Sequence, residues 1–190
     1  MIVDAIILTG GEGSRLGGVD KAALTIGDST LLDRALEATA GCRDVVVVGP
    51  RDERRQEVLW TREDPPGGGP VAGLAAGVAA LPDDADLVLV LACDMPRAAS
   101  VAPALMAKAV NGLTVADGAW GVDSSGRFQP LLAVYGRVAL QRALGCVGDP
   151  HGASMRVLTS ALRMTEVPVG EAARDADTWD DVRVLREEST

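Results

Sequence analysis

The sequence predicts a three-layer α/β/α fold of Rossmann-like type, built around a mostly parallel central sheet. Three short runs, residues 5–8, 45–48 and 87–91, are continuously apolar rather than alternating. Strands have this pattern when both of their faces are covered, as they are in parallel sheets. Stretches with helical periodicity separate the runs, and this alternation predicts right-handed crossovers with helices on both faces of the sheet.

The first half of the chain predicts three helices. Thr30 and Asp33 form a capping-box pattern at the start of an apolar face over residues 31–36. Pro70 is expected as the first residue of a second helix, because proline is favoured where a helix begins. A third helix is expected over residues 101–110.

The second half predicts further elements and no domain boundary. Residues 128–135, "FQPLLAVY", are expected to form a strand, with Pro130 placing it near an edge or a bulge. Helices are expected over residues 138–144 and 155–161, a last strand in "RMTEVPV" and a closing helix in "TWDDVRVLREES". With no repeat or linker in the sequence, residues 1–190 are expected to form a single domain.

Composition and charge exclude several classes of partner. The formal net charge of −9 argues against a nucleic-acid backbone or an anionic membrane surface as the main partner. The three cysteines are odd in number and widely spaced, so a disulfide framework is not expected. No apolar run approaches the roughly 18 residues of a membrane span, and no signal peptide is evident. We therefore expect a soluble cytoplasmic protein.

A glycine-rich loop follows the first predicted strand. The stretch "LTGGEGSRLGGVDKAAL", residues 8–24, contains Arg15 and Lys21. It matches neither a P-loop nor a dinucleotide fingerprint, because Lys21 lacks the flanking residues of the first and the glycine spacing breaks the second. Glycines let backbone N–H groups approach an anion, and the two cations suit a polyphosphate. The alternative is a mobile surface loop.

Carboxylates follow the third apolar run and recur near the C-terminus. Asp94 lies directly after that run, and parallel strands would bring it to the same sheet edge as the glycine loop. There it would hold Mg²⁺ together with phosphate oxygens, with Asp175 or Asp177 as a second ligand. The alternatives are that Asp94 caps a turn and that the later acids reflect the charge preference of a helix N-terminus.

A second glycine-rich stretch, "REDPPGGGPVAGLAAG", covers residues 62–77. Its small residues would form a wall beside a flat base, with Asp64 accepting hydrogen bonds from base N–H groups. The alternative is close packing of a helix against the sheet. His151, the single histidine, supports no nucleophilic triad, and the scattered tryptophans form no obvious stacking platform for nucleic acid.

Together these motifs resemble the MobA-like nucleotidyltransferases. "LTGGEGSRLGGVDKAAL" is similar to the L-x-G-G-x-x-x-R-x-G-x-D-K signature of that family, and "EDPPGGGPVAGL", "CDMP", "FQPLLAVY" and "DADTWDDV" follow in the family's order. The resemblance implies a nucleotidyltransferase fold. Its guanylyltransferase branch transfers GMP from GTP to molybdopterin, releases pyrophosphate and uses Mg²⁺. It also implies GTP, molybdopterin and other molybdenum cofactor biosynthesis proteins as partners.

The resemblance also assigns roles to individual residues. It implies that the N-terminal half binds the nucleotide and that the C-terminal half faces the acceptor. Nucleotide contacts would come from Leu8, Thr9, Gly10, Gly11, Lys21, Asp64 and Asp94. Catalysis would use Arg15, Lys21 and Asp94, the metal would be held by Asp94 and Asp177, and the acceptor would meet Gln129 and Arg156.

Three positions depart from the family pattern. Thr9 stands where alanine is common, Val48 where some guanylyltransferases have asparagine, and Trp179 where proline is usual. Two related activities stay open: a transferase using CTP and one acting on another phosphorylated acceptor such as 2-phospholactate. A nucleotide-binding regulator without catalysis is the alternative from another class.

Overall fold

The computed structural model describes residues 1–10 and 20–188. Within them, seven strands form one sheet: β1 (Val3–Leu8), β4 (Val45–Val48), β5 (Leu59–Thr61), β6 (Leu87–Ala92), β7 (Gly118–Val122), β8 (Phe128–Gly136) and β9 (Met164–Pro168). Their order in the sheet is β5-β4-β1-β6-β8-β7-β9. A two-stranded hairpin, β2 (Thr25–Ile26) with β3 (Ser29–Thr30), lies outside this sheet.

The sheet is mostly parallel, which confirms the predicted fold class. Strands β5, β4, β1 and β6 pair in parallel, as do β7 and β9. Strand β8 runs antiparallel to both of its neighbours, β6 and β7. The three apolar runs that carried the prediction form β1, β4 and β6, and every residue of β6 is buried.

Helices cover both faces of the sheet. They are α1 (Leu31–Glu37), α2 (Gly69–Ala80), α3 (Ala102–Gly112), α4 (Arg137–Val147), α5 (Met155–Thr159) and α6 (Trp179–Glu187). The buried side chains of α1 and α3 pack on one face, and those of α2, α4 and α5 pack on the other. Helix α6 packs with the hairpin in a third, smaller cluster.

Local sequence explains where the helices begin. The capping box of α1 forms as predicted, with the Thr30 side chain accepting from Asp33 N and the Asp33 carboxylate accepting from Thr30 N. Thr178 and Asp181 form a second capping box at the start of α6. Helix α2 begins at Gly69, one residue before Pro70.

Close packing of α2 on the sheet explains part of its glycine content. A Cβ atom at Gly77 would lie 2.7 Å from Ile6 Cγ2, so the helix approaches β1 more closely than an alanine allows. The packing interpretation of the "GLAAG" stretch is therefore confirmed at this position.

Pro130 lies in a bulge, one of the two alternatives that the sequence predicted. Strand β8 has a neighbour on each side, but its pairing with β6 ends at Leu132, so Pro130 lies beyond that ladder. Trp120 of β7 pairs with Ala133, but its neighbour Gly121 pairs with Gln129, so the segment around Pro130 has no partner on β7. A proline lacks the N–H that a regular ladder needs, and a bulge removes that requirement.

Strands β5 and β7 and the hairpin were not predicted, because each is short or glycine-containing and has no alternating pattern. Helix α5 ends at Thr159 and not at residue 161. Among the described helices, none has the length and apolar character needed to cross a membrane.

Candidate active site

The carboxyl ends of β1 and β6 lie side by side in the sheet. Leu8 pairs with Ala92, and Cys93 N donates to Leu8 O at 3.0 Å. Gly10 and Asp94 therefore leave the sheet at the same edge, which is where ligands bind in open α/β sheets.

Lys21 and two carboxylates form the charged centre at this edge. Lys21 Nζ lies 2.5 Å from Asp177 Oδ1 and 3.3 Å from Asp94 Oδ2. The exposed fractions of the side chains are 14% for Lys21, 22% for Asp94 and 35% for Asp177. Lys21 and the two carboxylates form an ion-pair network that is partly buried, so salt and bulk water weaken its interactions less than those of a surface pair.

Backbone contacts hold these side chains in place. Lys21 begins a short 3-10 turn, Lys21–Ala23, in which the Asp20 carboxylate accepts from Ala22 N. Ala176 N donates to Asp94 O at 2.9 Å and ties the segment containing Asp177 to the end of β6. Lys21 and Asp177, which meet in space, are 156 positions apart in the sequence.

The charges at the centre shift one another's pKa values. Burial alone would lower the pKa of Lys21, but hydrogen bonds and charges from Asp177 and Asp94 outweigh it and raise that pKa. Burial raises the pKa of Asp94, and the Asp177 charge adds to this while Lys21 opposes it. The pKa of Asp175 is raised by burial and by the charges of Asp177 and Asp94.

Cys93, next to Asp94, is not a candidate nucleophile. Its side chain is buried, and burial together with the Asp94 charge raises the pKa of the thiol well above its usual range. The thiolate is the reactive form of cysteine, so Cys93 stays inert at neutral pH.

The donor set fits a magnesium ion that is completed by a substrate. Two carboxylates, Asp94 and Asp177, already face one positive charge. Mg²⁺ typically takes one or two protein carboxylates and fills its other positions with water and phosphate oxygens. Among the described residues no group of three or more His, Cys, Asp or Glu side chains is arranged to hold a metal, so an all-protein site is not formed there. Of the two acids expected as a second metal ligand, Asp177 contacts Lys21, whereas Asp175 is exposed.

A cleft of about 160 Å³ lies beside Gly10, at the start of α2. The described residues that line it are small or apolar, apart from one acid: Leu8, Gly10, Val48, Glu63, Gly67, Gly69, Pro70 and Gly73. Asp64, which was expected to face a base, is exposed and does not line the cleft. Glu63 does, and its Oε1 accepts from Gly67 N at 3.0 Å.

A larger cleft of about 750 Å³ lies along the β4–β5 connection, and it is more polar. Its arginines are engaged by neighbouring acids: Arg54 pairs with Asp52, and Arg55 pairs with Asp33. These charges are therefore satisfied locally.

The two residues assigned to the acceptor lie on opposite faces of the sheet. Gln129 pairs with Gly121, so both residues point to the same face of the sheet. A Cβ atom on Gly121 would meet Val169, which packs on the face covered by α1 and α3. The Gln129 side chain donates through Nε2 to Asp123 Oδ2 at 2.9 Å. Arg156 is exposed on α5, which covers the other face.

Arg15 and Gly11 lie outside the described residues. Thr9 is buried, and its Oγ1 donates to Val48 O at 2.9 Å, so the residue that replaces alanine has a structural partner. A Cβ atom at Gly49, which has a φ of +152°, would lie 2.0 Å from Thr9 Oγ1. Trp179 is the first residue of α6 and leaves the capping box intact.

An aromatic pair near the β7–β8 turn was missed by sequence reasoning. Trp120 and Phe128 stack with ring centroids 4.6 Å apart and an angle of 23° between the rings. Phe128 is 49% exposed, although it begins a strand whose later residues are buried. The two rings are eight positions apart, and although Pro130 indicates a bulge, it does not indicate which residues pair on either side of it.

Comparisons with known proteins agree with this architecture. The sequence model of the MobA-like NTP transferase domain matches residues 5–165. The probable molybdenum cofactor guanylyltransferase of Methanosarcina acetivorans is 34% identical over 179 residues, which cover 86% of this chain and 75% of the relative. A probable molybdenum cofactor guanylyltransferase of Synechococcus elongatus is 43% identical over 108 residues, which cover 52% of this chain and 53% of that relative.

Solved structures share the fold over nearly the whole chain. Molybdopterin-guanine dinucleotide biosynthesis protein A from Archaeoglobus fulgidus superposes with a TM-score of 0.71 at 22% identity, covering 98% of both chains. The 2-C-methyl-D-erythritol 4-phosphate cytidylyltransferase of Thermus thermophilus gives 0.70 at 17% identity and covers 100% of this chain and 99% of its own. The chain belongs to the MobA-like NTP transferase family.

Proposed function

We propose that this chain transfers GMP from GTP to the phosphate of molybdopterin and releases pyrophosphate. The observation that carries the proposal is the Lys21–Asp94–Asp177 centre at the carboxyl edge of the sheet, where a cleft of about 160 Å³ also opens at Leu8 and Gly10. The choice of GTP and molybdopterin rests on the relatives named molybdenum cofactor guanylyltransferase.

The nucleotide would enter at the end of β1. The guanine would lie in the cleft at the start of α2, where glycines leave space against Leu8 and Val48. Glu63 lines that cleft and is the better placed carboxylate for base N–H groups, with Asp64 next to it in the exposed turn. Thr9, Gly10 and Gly11 would direct the triphosphate along the edge toward Lys21.

The reaction needs positioning and charge neutralisation more than covalent chemistry. The acceptor phosphate would attack the α-phosphorus in line, and pyrophosphate would leave without a covalent enzyme intermediate. Lys21, together with Arg15, would neutralise the charge that grows on the leaving pyrophosphate. Mg²⁺ held by Asp94 and Asp177 would supply further neutralisation of the phosphates.

The acceptor would approach from the β7–β8 side of the same edge. Strand β8 begins at Phe128 and runs beyond its last pairing with β6, Leu132 with Leu91. The exposed ring of Phe128, supported from behind by Trp120, offers a flat surface to a pterin. Gln129 and Arg156 would contact the acceptor from the two faces of the sheet.

The proposal also covers the domain organisation, the partners and the location of the protein. Because one sheet contains strands from both halves of the chain, we treat residues 1–190 as a single domain. Its partners would be GTP, molybdopterin and other molybdenum cofactor biosynthesis proteins, and it would act in the cytoplasm.

The experiment is to incubate the protein with Mg²⁺, molybdopterin and each nucleoside triphosphate in turn, and to measure pyrophosphate release. We expect release with GTP and none when molybdopterin is omitted. If CTP and not GTP supports release, the base specificity is reassigned. If GTP supports release with another phosphorylated acceptor, such as 2-phospholactate, and not with molybdopterin, the acceptor is reassigned. No release with any combination would favour a regulator.

A further inference from the structure

We propose that Lys21 sets the order of binding: its ammonium occupies the two metal-binding carboxylates until a nucleotide arrives, so the bare metal ion is bound weakly. On this proposal Lys21 has two positions, one on Asp94 and Asp177 and one on the triphosphate. The inference rests on the proposed function for the identity of the nucleotide, but the competition between lysine and metal does not depend on it.

The contacts of Lys21 show the first position. Its Nζ lies within 3.3 Å of Asp94 Oδ2 and 2.5 Å of Asp177 Oδ1, so one ammonium bridges both acids. The Lys21 side chain is only 14% exposed, and the ammonium is thus part of the site and not a solvated surface charge. The sequence has one other lysine, Lys108, which is exposed on α3.

A divalent ion and the ammonium cannot share these oxygens at low energy. Mg²⁺ binds its oxygen ligands at about 2.0–2.1 Å, so an ion on the oxygens that now face Nζ would lie within about 5 Å of it. Like charges at that separation repel in a partly buried site. The metal must therefore displace the lysine, and the lost ion pairs weaken metal binding.

A triphosphate removes this penalty because it gives the lysine a new partner. Lysine is a flexible point charge on a four-carbon stem, so Nζ can swing without movement of the backbone. The capped turn at Lys21–Ala23 fixes the base of that stem. The hydrogen bond from Ala176 N to Asp94 O keeps the segment before Asp177 against β6 when the lysine leaves.

The test measures metal binding in the absence of any nucleotide. Mn²⁺ is titrated into the wild-type protein, Lys21→Met and the control Lys108→Met, and free Mn²⁺ is read from its electron paramagnetic resonance signal. We expect Lys21→Met to bind Mn²⁺ at least about tenfold more tightly than the wild type, and Lys108→Met to match the wild type. Equal or weaker binding by Lys21→Met would overturn the proposal.

A second pair of variants guards against a folding defect. Lys21→Gln should behave like Lys21→Met, and Lys21→Arg, which keeps the positive charge, should behave like the wild type. Mn²⁺ should also raise the Tm of the two neutral variants more than that of the wild type. An equal rise in all proteins would count against the competition, whereas pyrophosphate release with a nucleotide other than GTP would revise only the proposed function.

Discussion

Replacing Lys21 with alanine gives the sharpest test of the catalytic assignment. Two unit charges 3.3 Å apart interact by about 5 kcal/mol at an effective dielectric constant of 20, before desolvation is subtracted. Lys21 would already contact the bound triphosphate, and this interaction would strengthen in the transition state as charge grows on the departing pyrophosphate. Removing one preorganised charge-stabilising group of this kind lowers kcat by about a hundred- to a thousandfold.

The assay is steady-state pyrophosphate release at saturating GTP and molybdopterin, with Lys108→Ala as the control. We expect the loss to fall on kcat, while Lys108→Ala retains wild-type turnover because its side chain is exposed on α3. Thermal unfolding of both variants would show whether the fold is kept. A folded Lys21→Ala protein that loses less than about fivefold in kcat would refute the reasoning.

Four further predictions address the metal, two helix glycines and the turn that holds Gln129. Asp94→Asn should abolish measurable pyrophosphate release while leaving far-ultraviolet circular dichroism unchanged, because the amide is a weaker magnesium ligand. Gly77→Ala should lower the free energy of unfolding by about 1–3 kcal/mol in denaturant titrations, because its Cβ would lie 2.7 Å from the buried Ile6 side chain. Gly145→Ala in α4, with nothing within 4 Å, should raise it by up to about 1 kcal/mol. Asp123→Asn should lower Tm at pH 7, and its difference from the wild type should shrink as pH falls toward about 2.

The sign of the last prediction follows from the hydrogen bonds to Asp123. Its carboxylate accepts from the Ser125 hydroxyl, the Arg127 N–H and Gln129 Nε2, which lower its pKa from 3.8 to about 2. A carboxylate whose pKa is depressed by folding contributes stability above its unfolded pKa and loses it as pH falls through the folded value. A Tm difference that persists unchanged at pH 2 would contradict this account, as would an unaltered stability of Gly77→Ala or full activity of Asp94→Asn.

The strands that build the site were predictable because the signal for each strand lies within a few neighbouring residues. Buried strands of a parallel sheet must be apolar on both faces, and the runs that form β1, β4 and β6 have that composition. The capping box at Thr30 is equally local, since its partners are three residues apart. From these elements alone, Asp94 could be placed at the edge that the glycine loop also reaches.

The partners within the site could not be predicted in the same way. The contact between Lys21 and Asp177 joins residues at opposite ends of the chain, and it depends on how the segment before α6 folds back onto β6. Sequence reasoning assigned Lys21 to phosphate and Asp177 to metal, but not the ion pair between them. Glu63 likewise lines the small cleft, whereas Asp64 is exposed to solvent. The sequence does not show which of two adjacent acids in a turn faces the cleft.

A crystal structure of the protein soaked with GTP and Mn²⁺, with anomalous scattering to locate the manganese, tests the central claim most directly. We expect the anomalous peak between the Asp94 and Asp177 carboxylates, with the triphosphate beside Gly10 and Lys21 Nζ moved onto its oxygens. A peak remote from both carboxylates, or a triphosphate bound elsewhere while Lys21 keeps its two ion pairs, would contradict the account.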